Sequence, residues 1–93
     1  MIKDFRDKEA ERIFYGEFSR KLPTHIQRNA YRKLKILHHA QNIKDLIALP
    51  GNYYKNLKGG RNGQSSIRIN DQYRICFIWH NNDAYGVEII DYH

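Results

Sequence analysis

Gln64-Ser65-Ser66-Ile67-Arg68-Ile69-Asn70-Asp71-Gln72-Tyr73-Arg74-Ile75-Cys76-Phe77-Ile78-Trp79, then a His80-Asn81-Asn82-Asp83 turn and Gly86-Val87-Glu88-Ile89-Ile90-Asp91-Tyr92-His93, is the stretch that decides the fold. Its runs are β-branched, aromatic and aliphatic, broken by Asn- and Asp-rich clusters, which is the composition of strands joined by turns. Side chains alternate between the two faces of a strand. Ile67 and Ile69 therefore share a face opposite Ser66 and Arg68. Tyr73, Ile75, Phe77 and Trp79 share a face opposite Arg74, Cys76 and Ile78. A hairpin at Asn70-Asp71-Gln72 brings Arg68 and Arg74 together. The last strand leaves with Asp91 and His93 on one face and Tyr92 on the other.

Working outward, Lys58-Gly59-Gly60-Arg61-Asn62-Gly63 reads as a glycine-rich, positively charged turn, and Tyr53 to Leu57 as a strand before it. Asn42 to Leu49 is a connector with room for a helical turn, stopped by Pro50-Gly51-Asn52. Upstream, Ile26, Ala30, Leu34 and Leu37 fall on one helical face, while Arg28, Arg32 and Lys35 give that helix a basic outer surface. Thr24 is its expected N-cap, with Gln27 as capping-box partner. An earlier helix is predicted from Asp7, its cap, through the stripe Ala10, Ile13, Phe14. Gly16 is its weak point, where it breaks or runs on through Phe18. Met1 to Phe5 reads as a short first strand. Two helices followed by a strand meander predict an α+β fold. The helices pack on one face of a small, mostly antiparallel sheet, and the other face is then either solvated or functional.

The 93 residues are expected to form one domain, residues 1–93. Hydrophobic residues make up 41% and charged residues 28%, as in an ordinary soluble globular protein. No apolar run reaches the ~20 residues of a membrane span. The single cysteine, Cys76, lies in an apolar run and is expected to be buried; with no partner for a disulfide, it fits a cytoplasmic setting. The net charge of +6 favours a polyanionic partner, nucleic acid first. His38 and His39 are helix neighbours that point apart, and His25 is isolated, so no metal site and no cofactor is expected.

Two guanidiniums on one sheet face repel unless an anion lies between them, and their planar forks match a phosphate. The competing explanation for Arg68 and Arg74 is pairing with the local carboxylates Asp71, Glu88 and Asp91. Lys58 and Arg61 add further positive charge. A histidine moves protons near neutral pH, and the chain's own terminal carboxylate favours the charged imidazolium of His93. Together these groups suit RNA cleavage by attack of the 2′-hydroxyl on the adjacent phosphate. Asp91 or Lys58 would act as base, Lys58 with Arg68 and Arg74 would stabilise the phosphorane charge, and His93 would be the acid. Tyr92 can stack on a base or donate from its hydroxyl.

The segments Leu57-Lys58-Gly59, Ser66-Ile67-Arg68-Ile69-Asn70-Asp71-Gln72-Tyr73-Arg74-Ile75 and Val87-Glu88-Ile89-Ile90-Asp91-Tyr92-His93 resemble, in this order, the HigB toxins of the RelE/ParE superfamily. The resemblance implies a RelE-like toxin domain of a type II toxin–antitoxin system, a compact α+β fold whose other sheet face is concave and functional. It implies a metal-independent endoribonuclease, an mRNA interferase cutting translated message in the ribosomal A site. Its implied partners are the ribosome with its mRNA and a HigA-type helix-turn-helix antitoxin, with operator DNA met only through the antitoxin complex. Carried over by position, the family's catalytic residues fall on Lys58, Asp91, Tyr92 and His93, with Arg68, Arg74 and Arg61 on RNA phosphate. Two other classes stay open at this point. One is a ParE-like toxin that inhibits DNA gyrase without cutting RNA; the other is a plain RNA-binding module.

Overall fold

Two asparagine turns set the register of the sheet. At the first, the Asn70 side-chain oxygen accepts from the amides of Gln72 (2.9 Å) and Tyr73 (2.7 Å), closing a side-chain-built turn. At the second, Asn81 (φ 50°) and Asn82 (φ 63°) both adopt the left-handed conformation, as a tight two-residue hairpin requires. In the computed structural model, which describes residues 1–57, 60 and 63–92, four antiparallel strands follow in chain order across an open sheet. They are β1 (Lys55–Asn56), β2 (Ser65–Arg68), β3 (Tyr73–His80) and β4 (Asp83–Asp91). The first turn places Arg68 directly across from Arg74. Between Cys76 and Ile78 the β3–β4 register shifts by a bulge. There Gly86 takes φ +58°, a conformation that glycine alone adopts without steric cost.

Among the described residues three α-helices precede the strands: α1 (Lys8–Phe14), α2 (Thr24–His39) and α3 (Ile43–Ile47). The expected stripes are the buried ones. Ala10, Ile13 and Phe14 of α1 and Ile26, Ala30, Leu34 and Leu37 of α2 join Ile67, Ile69, Ile75, Phe77, Val87 and Ile89 in one core. The fold is thus α+β, with the apolar faces of α1 and α2 sharing a core with one side of the sheet. Asp7 caps α1 as predicted, accepting from the Glu9 amide at 2.9 Å. Its other oxygen accepts from the Ile89 amide at 3.3 Å and fastens the helix start to β4. Among the described residues no helix is long and apolar enough to cross a membrane.

Three local expectations change, and one left open is decided. Residues 1–5 form no continuous strand; they make two isolated parallel bridges, Ile2 to Ala84 and Phe5 to Val87, and so cover the outer edge of β4. Of the two courses open to the first helix, it takes the break: it ends at Phe14, and Gly16 turns the chain at φ +81°. The strand expected over Tyr53 to Leu57 shortens to Lys55–Asn56, because Tyr53 is left-handed. Finally, Thr24 is the first helical residue of α2 and Pro23 occupies the cap position without a side-chain bond. Gln27 is occupied elsewhere: its amide accepts from Ser19 N–H (3.0 Å) and donates to the carbonyls of Ser19 (2.7 Å) and Leu22 (2.9 Å). A side chain that closes the preceding loop is unavailable for a capping box.

Candidate nucleic-acid interface

The side of the sheet away from the core carries the candidate site, and its geometry begins at the cross-strand Arg68–Arg74 pair. Adjacent guanidiniums repel, and the two side chains solve this differently. Arg74 is buried, 5% exposed. Its Nε donates to Ser66 Oγ at 2.8 Å, and an amino nitrogen donates to the carbonyls of Tyr53 and Ser66. Burial pushes its guanidinium below the ordinary value. Tyr92 and Cys76 pull it back up, and Arg68 adds to the downward push. Arg68 stays partly exposed and is ion-paired with Asp71, whose side chain stands almost wholly in water. Of the two explanations open for these arginines, a local carboxylate holds Arg68, whereas carbonyl and hydroxyl oxygens hold Arg74.

Two tyrosine rings lie over these cations. The Arg68 guanidinium is 5.0 Å from the Tyr53 ring centre. The Arg74 guanidinium is 5.7 Å from Tyr92, and Lys55 Nζ is 5.3 Å from the same ring. These are cation–π distances. Tyr92 therefore leaves β4 on the arginine side, as alternation requires. Asp91 pairs with Tyr73 in the β3–β4 register, and its carboxylate accepts from Gln72 Nε2 at 3.0 Å. Glu88 receives Arg6 and Gln64, each at 3.5 Å. The described residues of the predicted site thus separate into Arg68, Arg74 and Tyr92 on one face, with Asp91 at the exit of β4. Lys58, Arg61 and His93 lie outside the described residues.

Sequence reasoning missed Lys55 and Tyr53. Lys55 had a signal: it pairs with Ser66, so once β1 is registered on β2 it falls on the arginine side. Tyr53 had none, because its position depends on a left-handed backbone that no residue pattern announces. A second unexpected cation, Lys33 of α2, is buried and donates to the Gly51 carbonyl (2.9 Å) and to Asn52 Oδ1 (2.8 Å). Its ammonium is pushed below the ordinary value, by burial first and then by Arg32, Arg68 and Arg74. Among the described residues no three His, Cys, Asp or Glu side chains converge as a metal site would need. His38 serves structure: its Nδ1 accepts from the Ile2 amide at 3.1 Å, and its ring lies against Phe14.

The family model of HigB-like toxins, described as the RelE-like toxin of the type II toxin–antitoxin system HigB, matches residues 3–93. The chain is 40% identical over 80 residues to Toxin HigB-1 of Vibrio cholerae serotype O1, covering 85% of this chain and 84% of that protein. It is also 35% identical over 81 residues to an uncharacterised protein of Haemophilus influenzae, covering 86% of this chain and 80% of that one.

Proposed function

The chain belongs to the HigB-like family of RelE-like toxins of type II toxin–antitoxin systems, and from that premise we propose that it is a ribosome-dependent endoribonuclease cutting translated mRNA in the A site. A type II toxin has a cognate antitoxin; here we take it to be a helix-turn-helix protein of the HigA type. The observation that carries the nuclease reading is the cross-strand Arg68–Arg74 pair, with Tyr92 and Lys55 gathered on the same face beside the end of β4.

In this reading the 2′-hydroxyl oxygen attacks the adjacent phosphorus while Asp91 or Lys58 takes its proton. The developing negative charge is met by Lys58 with Arg68 and Arg74. His93 gives a proton to the departing 5′-oxygen as its bond to phosphorus breaks. The products are a 2′,3′-cyclic phosphate and a 5′-hydroxyl, so atoms and charge balance without a redox partner. Arg68 is the better placed of the two arginines for direct phosphate contact. Its present partner, Asp71, is solvated, and an exposed pair of this kind is worth roughly 0–1 kcal/mol, so a phosphate can displace it. Arg74, already holding Tyr53 and Ser66, supplies positive potential from beneath.

The test is to induce the protein and map mRNA 5′ ends against the reading frame. Cuts within translated codons are expected. His93→Ala and Lys58→Ala are each expected to lower cleavage by about 10²-fold or more while antitoxin binding persists. Intact message together with DNA double-strand breaks in arrested cells would overturn the nuclease reading and favour a gyrase-directed toxin.

A further inference from the structure

Tyr53 and Tyr54 are chain neighbours with opposite fates. Tyr54 packs on the core, and its hydroxyl bonds Ser65 Oγ (2.7 Å) and Asn56 Oδ1 (3.0 Å). Tyr53 is 59% exposed, with its ring out on the arginine side. Its backbone is left-handed at φ 42° and ψ 54°, a conformation that costs a residue with a bulky side chain and that asparagine or glycine adopts more readily. The surroundings hold that backbone in place. Arg74 grips the Tyr53 carbonyl from below. Lys33 holds the two residues before it through the Gly51 carbonyl and the Asn52 side chain, and Asn52 in turn donates to the Leu46 carbonyl at 3.0 Å. Two buried cations and a buried amide thus fix a strained turn whose product is one exposed ring. Core packing does not require that ring, since it is mostly in water. A residue held in a costly conformation by its neighbours is a mark of a functional position.

We infer that Tyr53, backed by Arg68, is a stacking platform for a nucleobase of single-stranded RNA, the base next to the phosphate that Arg68 contacts. The inference rests on the nuclease reading for its substrate class, and it adds a base contact to what is otherwise a phosphate-binding face. An aromatic ring presents its face to any base, and a guanidinium beside it supplies the neighbouring phosphate with charge. Tyr92, whose ring lies over Arg74 and Lys55, is a separate element of the same face. Lys33 is the positioning residue of this subsite: it touches no RNA and acts through the turn that it holds.

The experiment measures binding at low salt of a fluorescein-labelled single-stranded RNA hexanucleotide, and of the same backbone with abasic sites, to the full chain and its variants. Tyr53→Ala is expected to weaken binding of the base-bearing RNA about tenfold, the low end of a stacked base's contribution. Tyr53→Phe is expected to bind like the parent, and the abasic strand is expected not to distinguish the three proteins. A second readout places tryptophan at the site: Tyr53→Trp in a Trp79→Phe background is expected to lose fluorescence on adding the base-bearing strand and not on adding the abasic one. Equal binding by Tyr53→Ala and the parent, or quenching by both strands, would overturn the inference. Cleavage of mRNA on programmed ribosomes by the parent protein, measured in parallel, reports on the nuclease reading alone. Absent cleavage with intact base-dependent quenching would sink that reading and keep the stacking site.

Discussion

The two sides of the sheet are buried by different means. On the helix side, Ile67, Ile75, Phe77 and Val87 are wholly removed from water against α1 and α2. That burial is non-directional and tolerates small shifts, since dispersion and water exclusion ask only for close contact. On the other side, Ser66 and Arg74 are buried nearly as deeply, 0% and 5% exposed. There the burial depends on aimed bonds: Arg74 reaches Ser66 and crosses to the Tyr53 carbonyl, 21 residues away in the chain. The first side holds the protein together. The second uses charged groups as struts and leaves Arg68, Lys55, Tyr53 and Tyr92 at the surface of a supported layer.

This contrast can be broken from either side. The largest effect is expected from Phe77→Ala, which empties the centre of the apolar core and should cost about 3–5 kcal/mol, read as a lower urea midpoint with the slope retained. Arg74→Lys is expected to cost about 1–3 kcal/mol, because an ammonium cannot make the Ser66 and Tyr53 bonds together and leaves a buried acceptor short. If Arg74→Lys proved as stable as the parent, the strut description of that face would be wrong. Urea melts of the two variants side by side make the check.

A smaller effect separates the core's own polar seam from both faces. The His38 ring is held below its usual value of 6.5, by burial first and then by the positive charges of His39, the N-terminus and Lys35. The folded state therefore binds a proton less readily than the unfolded chain. Stability is then fully present above about pH 6.5 and declines as pH falls below it. Protonation also converts Nδ1 from acceptor to donor and breaks its bond with the Ile2 amide, a loss of about 1 kcal/mol. Melting temperatures from pH 7.5 down to 5 should fall, and His38→Gln should flatten that slope. Asp83 acts in the same direction only at much lower pH, because a hydrogen bond from the N-terminal ammonium holds its carboxyl below 3.8.

The helix side was legible in the sequence, and the reason is periodicity. Ile26, Ala30, Leu34 and Leu37 recur at helical spacing, and Ile67 and Ile69 at strand spacing, so each element announced its buried face. The Arg68–Arg74 pairing was legible too, because a short turn at Asn70 leaves little choice of register. The support under the second face was not. Lys33 stands in α2 among Arg32, Lys35 and other basic residues, and nothing local marks it as the one that turns inward. Its partners, the Gly51 carbonyl and Asn52, lie in a turn after α3, and backbone oxygens carry no sequence signature. Tyr53 was read as part of a strand for the same reason: its left-handed backbone is imposed by Arg74 and the turn before it, from outside its own neighbourhood.

The smallest expected change in stability belongs to the residue with one of the larger expected roles. Arg68 lies on a solvated ion pair with Asp71 and over the exposed ring of Tyr53. Removing it by Arg68→Ala should shift stability by no more than about 1 kcal/mol, in line with exposed pairs generally. On the proposed function, the same change removes the guanidinium best placed for phosphate and should lower mRNA cleavage by at least about tenfold, the effect of one lost charge-assisted contact. Asp71→Asn separates the two roles. It frees Arg68 from its carboxylate, so cleavage should hold or rise while the melting temperature stays within about a degree. A drop in cleavage for Asp71→Asn equal to that for Arg68→Ala would mean that the pair works as a fixed structural unit and that Arg68 belongs with Arg74 among the struts.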